Sequence, residues 1–195
     1  MMLDQVVFAA SAFMAQVLTN LDNLMALVAL MIVTGPQRAV LGFLLAQGLV
    51  IGAAFLLALG VEDAVPHWAG YLGTIPLALG LFGAVRQIRG ANAQDAPEVS
   101  GSASALVTML LFASLSMDTF AVLAPLLADS TPEYRLAGAL GAGLAALSLA
   151  VAGLIGGRAR IMTGRLAQRL EYLVPYVMIC AGLYILSNSW TDAVQ

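Results

Sequence analysis

Six apolar stretches, near 5–33, 36–60, 66–88, 103–129, 132–157 and 170–190, leave this chain few folds to choose from. Each reaches the ~20 residues that a membrane-spanning helix needs. Barrel strands would be about 10 residues long and would alternate strictly between apolar and polar side chains, a pattern the sequence lacks. Of the 195 residues, 61% are hydrophobic and 10% charged, and the mean hydropathy is +0.93. Soluble domains carry roughly 25% charged residues, and one of this size must still cover its surface with polar side chains. The expected fold is an all-α membrane protein with six transmembrane helices.

The first stretch does not read as a cleavable signal peptide. It lacks a positively charged start, carries Asp4, and runs far past an apolar core of about 7–15 residues. The net charge of −3 contains no basic run suited to nucleic acid. The single Cys180 excludes an intramolecular disulfide, a CxxC redox pair and a thiolate metal cage, and is expected to be a small buried apolar residue. A membrane redox enzyme would need two intramembrane cysteines. A hydrolase would need a base beside its serine, and the lone His67 lies near a membrane surface, far in depth from Ser114 and Ser116. The chain does not read as an enzyme, and no cofactor is expected.

The polar stretch 89–102 divides the chain into residues 1–88 and 103–195 and reads as a flexible cytoplasmic linker. The two parts repeat. An offset of 96 aligns Asp22 with Asp118, Pro36 with Pro132, Gly42 with Gly138 and Gly60 with Gly156; an offset of 99 aligns Pro76 with Pro175 and Gly83 with Gly182. Each part holds three spans, an odd number, so the two three-helix repeats must insert inverted. That plan is common in secondary transporters, which hold their substrate near the midplane at the repeat interface. The chain has no lysine. Arg38, Arg86, Arg89, Arg158, Arg160, Arg165 and Arg169 flank connections 1–2, 3–4 and 5–6, and Arg135 stands alone on the other side. The bias puts those three connections in the cytoplasm and both termini outside it. His67 and Trp68 read as an interfacial anchor, and the arginines at 158–169 as a cytoplasmic, lipid-facing segment.

The first and fourth stretches are too long for a straight span, at roughly 40 Å against a bilayer core of about 30 Å, so each is expected to be tilted, kinked or locally unwound. A polar cluster lies near the middle of each. Gln16, Thr19, Asn20 and Asn23 share a helical face at i, i+3, i+4, i+7 spacing, flanked by Asp22. Ser114 and Asp118 are i, i+4 neighbours, with Ser116 and Thr119 close by, and Pro125 frees the carbonyl of Ala121. An ionised carboxylate at the bilayer centre costs at least ~2.5–3.5 kcal/mol, so two in related contexts point to a shared cation. Carboxylates, amides, hydroxyls and freed carbonyls are oxygen donors suited to a hard or borderline divalent metal. The candidate metal site is Asp22, Asp118, Asn20, Asn23, Thr19, Ser114, Ser116 and Thr119. Two carboxylates neutralise one divalent cation and repel each other once it leaves, which makes protons the natural counter-cargo. Gln47 could either reach this site or join helices. The glycine pair Gly48 and Gly52, with the groups Gly138/Gly141 and Gly153/Gly156/Gly157, is expected to permit close helix approach. Met14, Met25 and Met117 read as bilayer or core filler.

These residues carry a resemblance. The run Phe112-Ala113-Ser114-Leu115-Ser116-Met117-Asp118-Thr119-Phe120-Ala121-Val122-Leu123-Ala124-Pro125 resembles the second signature of the cadmium-resistance transporter family, within the LysE superfamily of small exporters. Asn20-Leu21-Asp22-Asn23-Leu24 resembles its first-repeat motif, and Gly73-Thr74-Ile75-Pro76-Leu77-Ala78-Leu79-Gly80 its third-span stretch. The resemblance implies a multi-pass protein of the cell inner (cytoplasmic) membrane that exports a divalent heavy or transition metal, with Asp22, Asp118 and their polar neighbours as its site. The metal is substrate, the bilayer is the other partner, and a homodimer is compatible with the chain. Members can carry a cysteine in the fourth-helix signature where this chain has Leu115, which moves the balance from cadmium toward manganese or another oxygen-loving metal. The wider superfamily also exports amino acids and other small metabolites, the alternative substrate class.

Overall fold

A computed structural model describes residues 2–64, 71–89, 104–159 and 174–192. Every element among them is helical: α1 Met2–Thr19, α2 Leu21–Thr34, α3 Pro36–Ala64, α4 Thr74–Ile88, α5 Ala105–Leu115, α6 Met117–Ala128, α7 Pro132–Ala159 and α8 Val174–Asp192. His67, Trp68, Arg160, Arg165, Arg169 and nearly all of the linker lie outside the described residues.

Local chemistry sets the boundaries. Gly35 has φ +89°, a left-handed value that a side chain disfavours, and turns the chain between α2 and α3. Pro36 and Pro132 open α3 and α7 at the first helical position, where the missing N–H would have no intrahelical partner anyway. The Ser104 side chain caps α5 by accepting from the Val107 N–H at 3.3 Å.

The apolar stretches of the sequence all hold helices, but only some are spans in their own right. Four helices (α1, α3, α4 with the turn before it, and α7) are long and apolar enough to cross a bilayer alone, and the α5–α6 pair makes a fifth if counted as one bent span. Leu21–Thr34 and the apolar part of α8, Pro175–Ser187, are shorter. The count therefore falls below the six expected: α1 still counts for the first stretch, whereas the described apolar part of α8, Pro175–Ser187, is too short to count for the sixth.

Side-chain size is distributed as in membrane bundles. On α7, Leu136, Leu140, Leu144, Leu147, Val151 and Ile155 form an exposed stripe, while Ala142, Ala145, Ala146 and Ala150 face inward. On α3, Leu41, Leu45, Leu49 and Leu56 are exposed, and Ala39, Ala46, Ala54 and Ala58 are fully buried. Large apolar groups outside and small ones within suit a lipid solvent, where close backbone approach stabilises helix pairs in the absence of a hydrophobic driving force. This is the pattern of a multi-pass membrane protein.

The two parts of the chain interlock. α3 packs on α5 and α6, α7 packs on α1 and α2, and α4 pairs with α8. Exchanging the halves maps each of these contacts onto another, or onto itself for α4–α8. Glycines make the closest approaches. A Cβ on Gly42 would meet Thr108 at 2.7 Å, one on its repeat mate Gly138 would meet Phe8 at 2.7 Å, and one on Gly141 would collide with the Ala9 carbonyl. Between α4 and α8, a Cβ on Gly80 would meet the Pro175 carbonyl at 2.6 Å and one on Gly182 would meet the Leu77 nitrogen at the same distance.

Two expectations change. A Cβ on Gly48 or Gly52 would meet nothing within 4 Å, so their spacing serves no helix contact among the described residues. Cys180 is exposed on α8, because the buried face of that helix is taken by Met178, Gly182 and Ile185.

Candidate functional site

The first and fourth apolar stretches break at Asn20 and Ser116, which are 96 residues apart and therefore repeat mates. The backbone is copied along with the sequence. Asn20 has φ −113°, ψ 20°, and Ser116 has φ −94°, ψ 18°. The Asn20 N–H donates to Val17 O at 3.3 Å and the Leu24 N–H to Asn20 O at 2.9 Å; at the other break, the Ser116 N–H donates to Ala113 O at 3.3 Å and the Phe120 N–H to Ser116 O at 3.0 Å. All three residues of the second set lie 96 beyond those of the first.

A short polar side chain bonds the carbonyl four residues back at both breaks; at Asn20 it takes the place of the backbone N–H, while at Ser116 the N–H still donates to Phe112 O at 3.0 Å. The Asn20 Nδ2 donates to Gln16 O at 2.9 Å, and the Asn20 N–H turns to the carbonyl three residues back. The Ser116 Oγ donates to Phe112 O at 2.8 Å, and α5 and α6 meet at 64°.

The breaks face each other through a closed ring of hydrogen bonds. Asn23 Nδ2 donates to Asn20 Oδ1 at 2.7 Å and to Ser116 Oγ at 2.9 Å. Gln47 Nε2, from α3, donates to the same two oxygens at 2.8 and 3.0 Å. Gln16 Nε2 donates to Gln47 Oε1 at 2.7 Å. On the other flank, Asn20 Nδ2 donates to Thr119 Oγ1 at 2.8 Å, and Thr119 Oγ1 donates to Thr19 Oγ1 at 3.0 Å. All seven residues (Gln16, Thr19, Asn20, Asn23, Gln47, Ser116 and Thr119) are at most 1% exposed. A neutral network at that depth holds the fold only when its members are satisfied, and nearly all are. Two acceptors are left over. Gln16 Oε1 and Asn23 Oδ1 are buried with no hydrogen-bond partner among the described residues, each a cost of about 1–3 kcal/mol unless something occupies it.

Asp22 and Asp118 are partly buried and occupy the same place in the first turns of α2 and α6. The free N–H groups of a helix start and the helix dipole favour an anion there. Asp118 Oδ1 accepts from the Thr119 N–H at 2.8 Å.

Of the eight residues expected at the site, seven gather at the two breaks, five of them inside the hydrogen-bonded network. Ser114 does not join them. It is exposed and donates to Leu111 O at 2.7 Å, because the bend at Ser116 turns the end of α5 away and destroys its i, i+4 relation to Asp118. Two residues enter that the expected site omitted, Gln16 and Gln47. The signal for Gln47 was present as a lone uncharged polar residue deep in a 26-residue apolar run, which is rare unless it has a partner.

Arg135, the outlier of the arginine pattern, is buried and donates to Leu127 O at 3.0 Å and Ser130 O at 2.8 Å, where it caps the C-terminal end of α6. A cation there complements the negative end of the helix dipole. Its position therefore has a packing cause independent of topology.

Chemically, the site offers two carboxylates surrounded by neutral oxygen donors. Among the described residues no group of three or more His, Cys, Asp and Glu forms. Comparisons with family models, with curated proteins and with solved structures find no match for this chain.

Proposed function

We propose that this chain is a secondary transporter that exports a divalent metal cation of the cadmium/manganese type from the cytoplasm, with Asp22 and Asp118 as the central charges. Its six helical segments then act as spans, and its two three-helix halves lie inverted in the membrane. The arginine bias supports cytoplasmic connections 1–2, 3–4 and 5–6, and it strengthens once Arg135 is explained by its cap on α6. The crosswise packing of α3 on α5–α6 and α7 on α1–α2 is what a twofold-related pair of repeats would give.

One observation carries the reading. Two repeat-related helix breaks, each followed two residues later by an aspartate, meet in an oxygen-rich buried network. A divalent cation would neutralise both carboxylates, and protons are the natural counter-ions when it departs. Manganese fits the oxygen donors better than cadmium does. The likeness to the cadmium-resistance transporters, quoted above, agrees with this assignment.

The test is uptake of Mn²⁺ and Cd²⁺ into proteoliposomes with and without an imposed pH gradient. Saturable flux that the gradient drives, and that Asp22→Asn and Asp118→Asn abolish, is the expected result. Flux unaffected by either substitution would overturn the site; flux indifferent to the gradient would remove proton exchange. Saturable transport of a basic amino acid in place of either metal would favour the metabolite-exporter alternative.

A further inference from the structure

We infer that Gln47 is the positioning residue of this site: its amide group ties the two helix breaks together and so fixes the spacing of Asp22 and Asp118. The inference rests on the cation reading above only for its effect on cargo affinity. Gln47 Nε2 bonds both break residues, Asn20 Oδ1 at 2.8 Å and Ser116 Oγ at 3.0 Å. Each aspartate sits two residues beyond one of those atoms' parent residues, in the first turn of the half-helix that follows. A displacement of either break therefore carries its carboxylate along.

The polarity of the contacts argues against a ligand role. Gln47 turns N–H groups toward the ring, and its Oε1 accepts from Gln16. That last bond also orients Gln16, whose Oε1 is one of the two buried acceptors left over. Gln47 thus holds one candidate ligand and both carboxylate-bearing breaks without offering an oxygen of its own.

The strap is one-sided. At the offset of 96, position 47 of α3 corresponds to Gly143 of α7, where a Cβ would meet nothing within 4 Å among the described residues. The repeat that copied the breaks and the charges did not copy this residue. Asn23 bridges the same two oxygens from inside the first broken helix, so Gln47 is the ring member that anchors both breaks to a third, unbroken helix.

The test uses the full chain in lipid nanodiscs, with Gln47→Met as a variant of similar volume that lacks the donors. Backbone hydrogen exchange is followed at the two breaks, and Mn²⁺ is titrated for binding. Loss of one or two buried hydrogen bonds should speed exchange about tenfold around both Asn20 and Ser116, leave α4 and α8 unchanged, and raise the half-saturating Mn²⁺ concentration about tenfold. In proteoliposomes the maximal Mn²⁺ rate should stay within about threefold of wild type, because the carboxylates remain. Faster exchange confined to α3, spread over the whole molecule, or absent would overturn the inference. If Gln47→Met does not insert, Ser116→Ala removes an anchor from the opposite half and must also speed exchange around Asn20; exchange altered at 116 alone would overturn it equally. The exchange result needs no cargo. Coupled loosening in a protein that binds no Mn²⁺ would support the strap and sink the cation assignment instead.

Discussion

The two helix breaks have nearly the same backbone and quite different side chains. At Asn20 and Ser116 the dihedral angles and the flanking backbone hydrogen bonds repeat at a constant offset, and an aspartate follows two residues later in both. Yet the first break is rich in amides, with Gln16, Asn20 and Asn23, whereas the second carries only the hydroxyls of Ser116 and Thr119 into the network. The helices that support them differ in the same sense, α3 supplying Gln47 and α7 supplying Gly143. What was kept in both halves is the geometry that presents a charge. What diverged is the neutral scaffold around it, which on the proposed reading is where selectivity between cargoes would be tuned without disturbing the charges.

Four experiments break or sharpen this comparison. The largest effect is expected from the shared feature. Asp22→Asn and Asp118→Asn should each lower metal flux at least about 100-fold, the equivalent of the ~3 kcal/mol that one compensated intramembrane charge represents, while membrane insertion persists. Unequal losses would show that the repeat is functionally asymmetric even at its charges.

Next come the break residues themselves. Asn20→Ala removes an acceptor for two amides and a donor to two oxygens, and should cost about 2–3 kcal/mol in detergent unfolding experiments; Ser116→Ala should cost about 1 kcal/mol. Equal costs would mean that the amides of the first half do not carry the extra stability assigned to them. Gly141→Ala forces a methyl onto the Ala9 carbonyl and should lower unfolding stability by about 1–3 kcal/mol, against no more than about 0.5 kcal/mol for Gly48→Ala, which faces no neighbour. A comparable loss at Gly48 would point to a packing partner beyond the described residues. The smallest effect belongs to Ser114→Ala. Its hydroxyl bonds only its own helix, so flux and stability should both stay near wild type.

Much of this was legible in the residues. Apolar runs announced the helices, and the offset of 96 announced the repeat before any contact was known. Excess length plus a central polar cluster foretold that the first and fourth stretches would not be straight helices. The stripe Gln16, Thr19, Asn20, Asn23 is buried as its spacing implied. Other features were out of reach. Ser114 looked like a neighbour of Asp118 because i, i+4 proximity assumes an unbroken helix, and a bend of 64° at Ser116 removes that assumption. Gly48 and Gly52 have the spacing of a packing motif, but spacing says nothing about which way a face points once the neighbours have docked.

The sequence alone determined the helical class, the internal duplication and the identity of the two costly charges, because hydropathy, offset and charge are properties of a chain read in one dimension. Which polar groups meet was decided only by the tertiary structure. Gln47 lies 27 residues from Asn20 and 69 from Ser116, and nothing local couples it to either. The crosswise docking of α3 onto the broken helix of the other half brings them to within 3.0 Å, since buried amides find satisfaction only where packing places another polar atom.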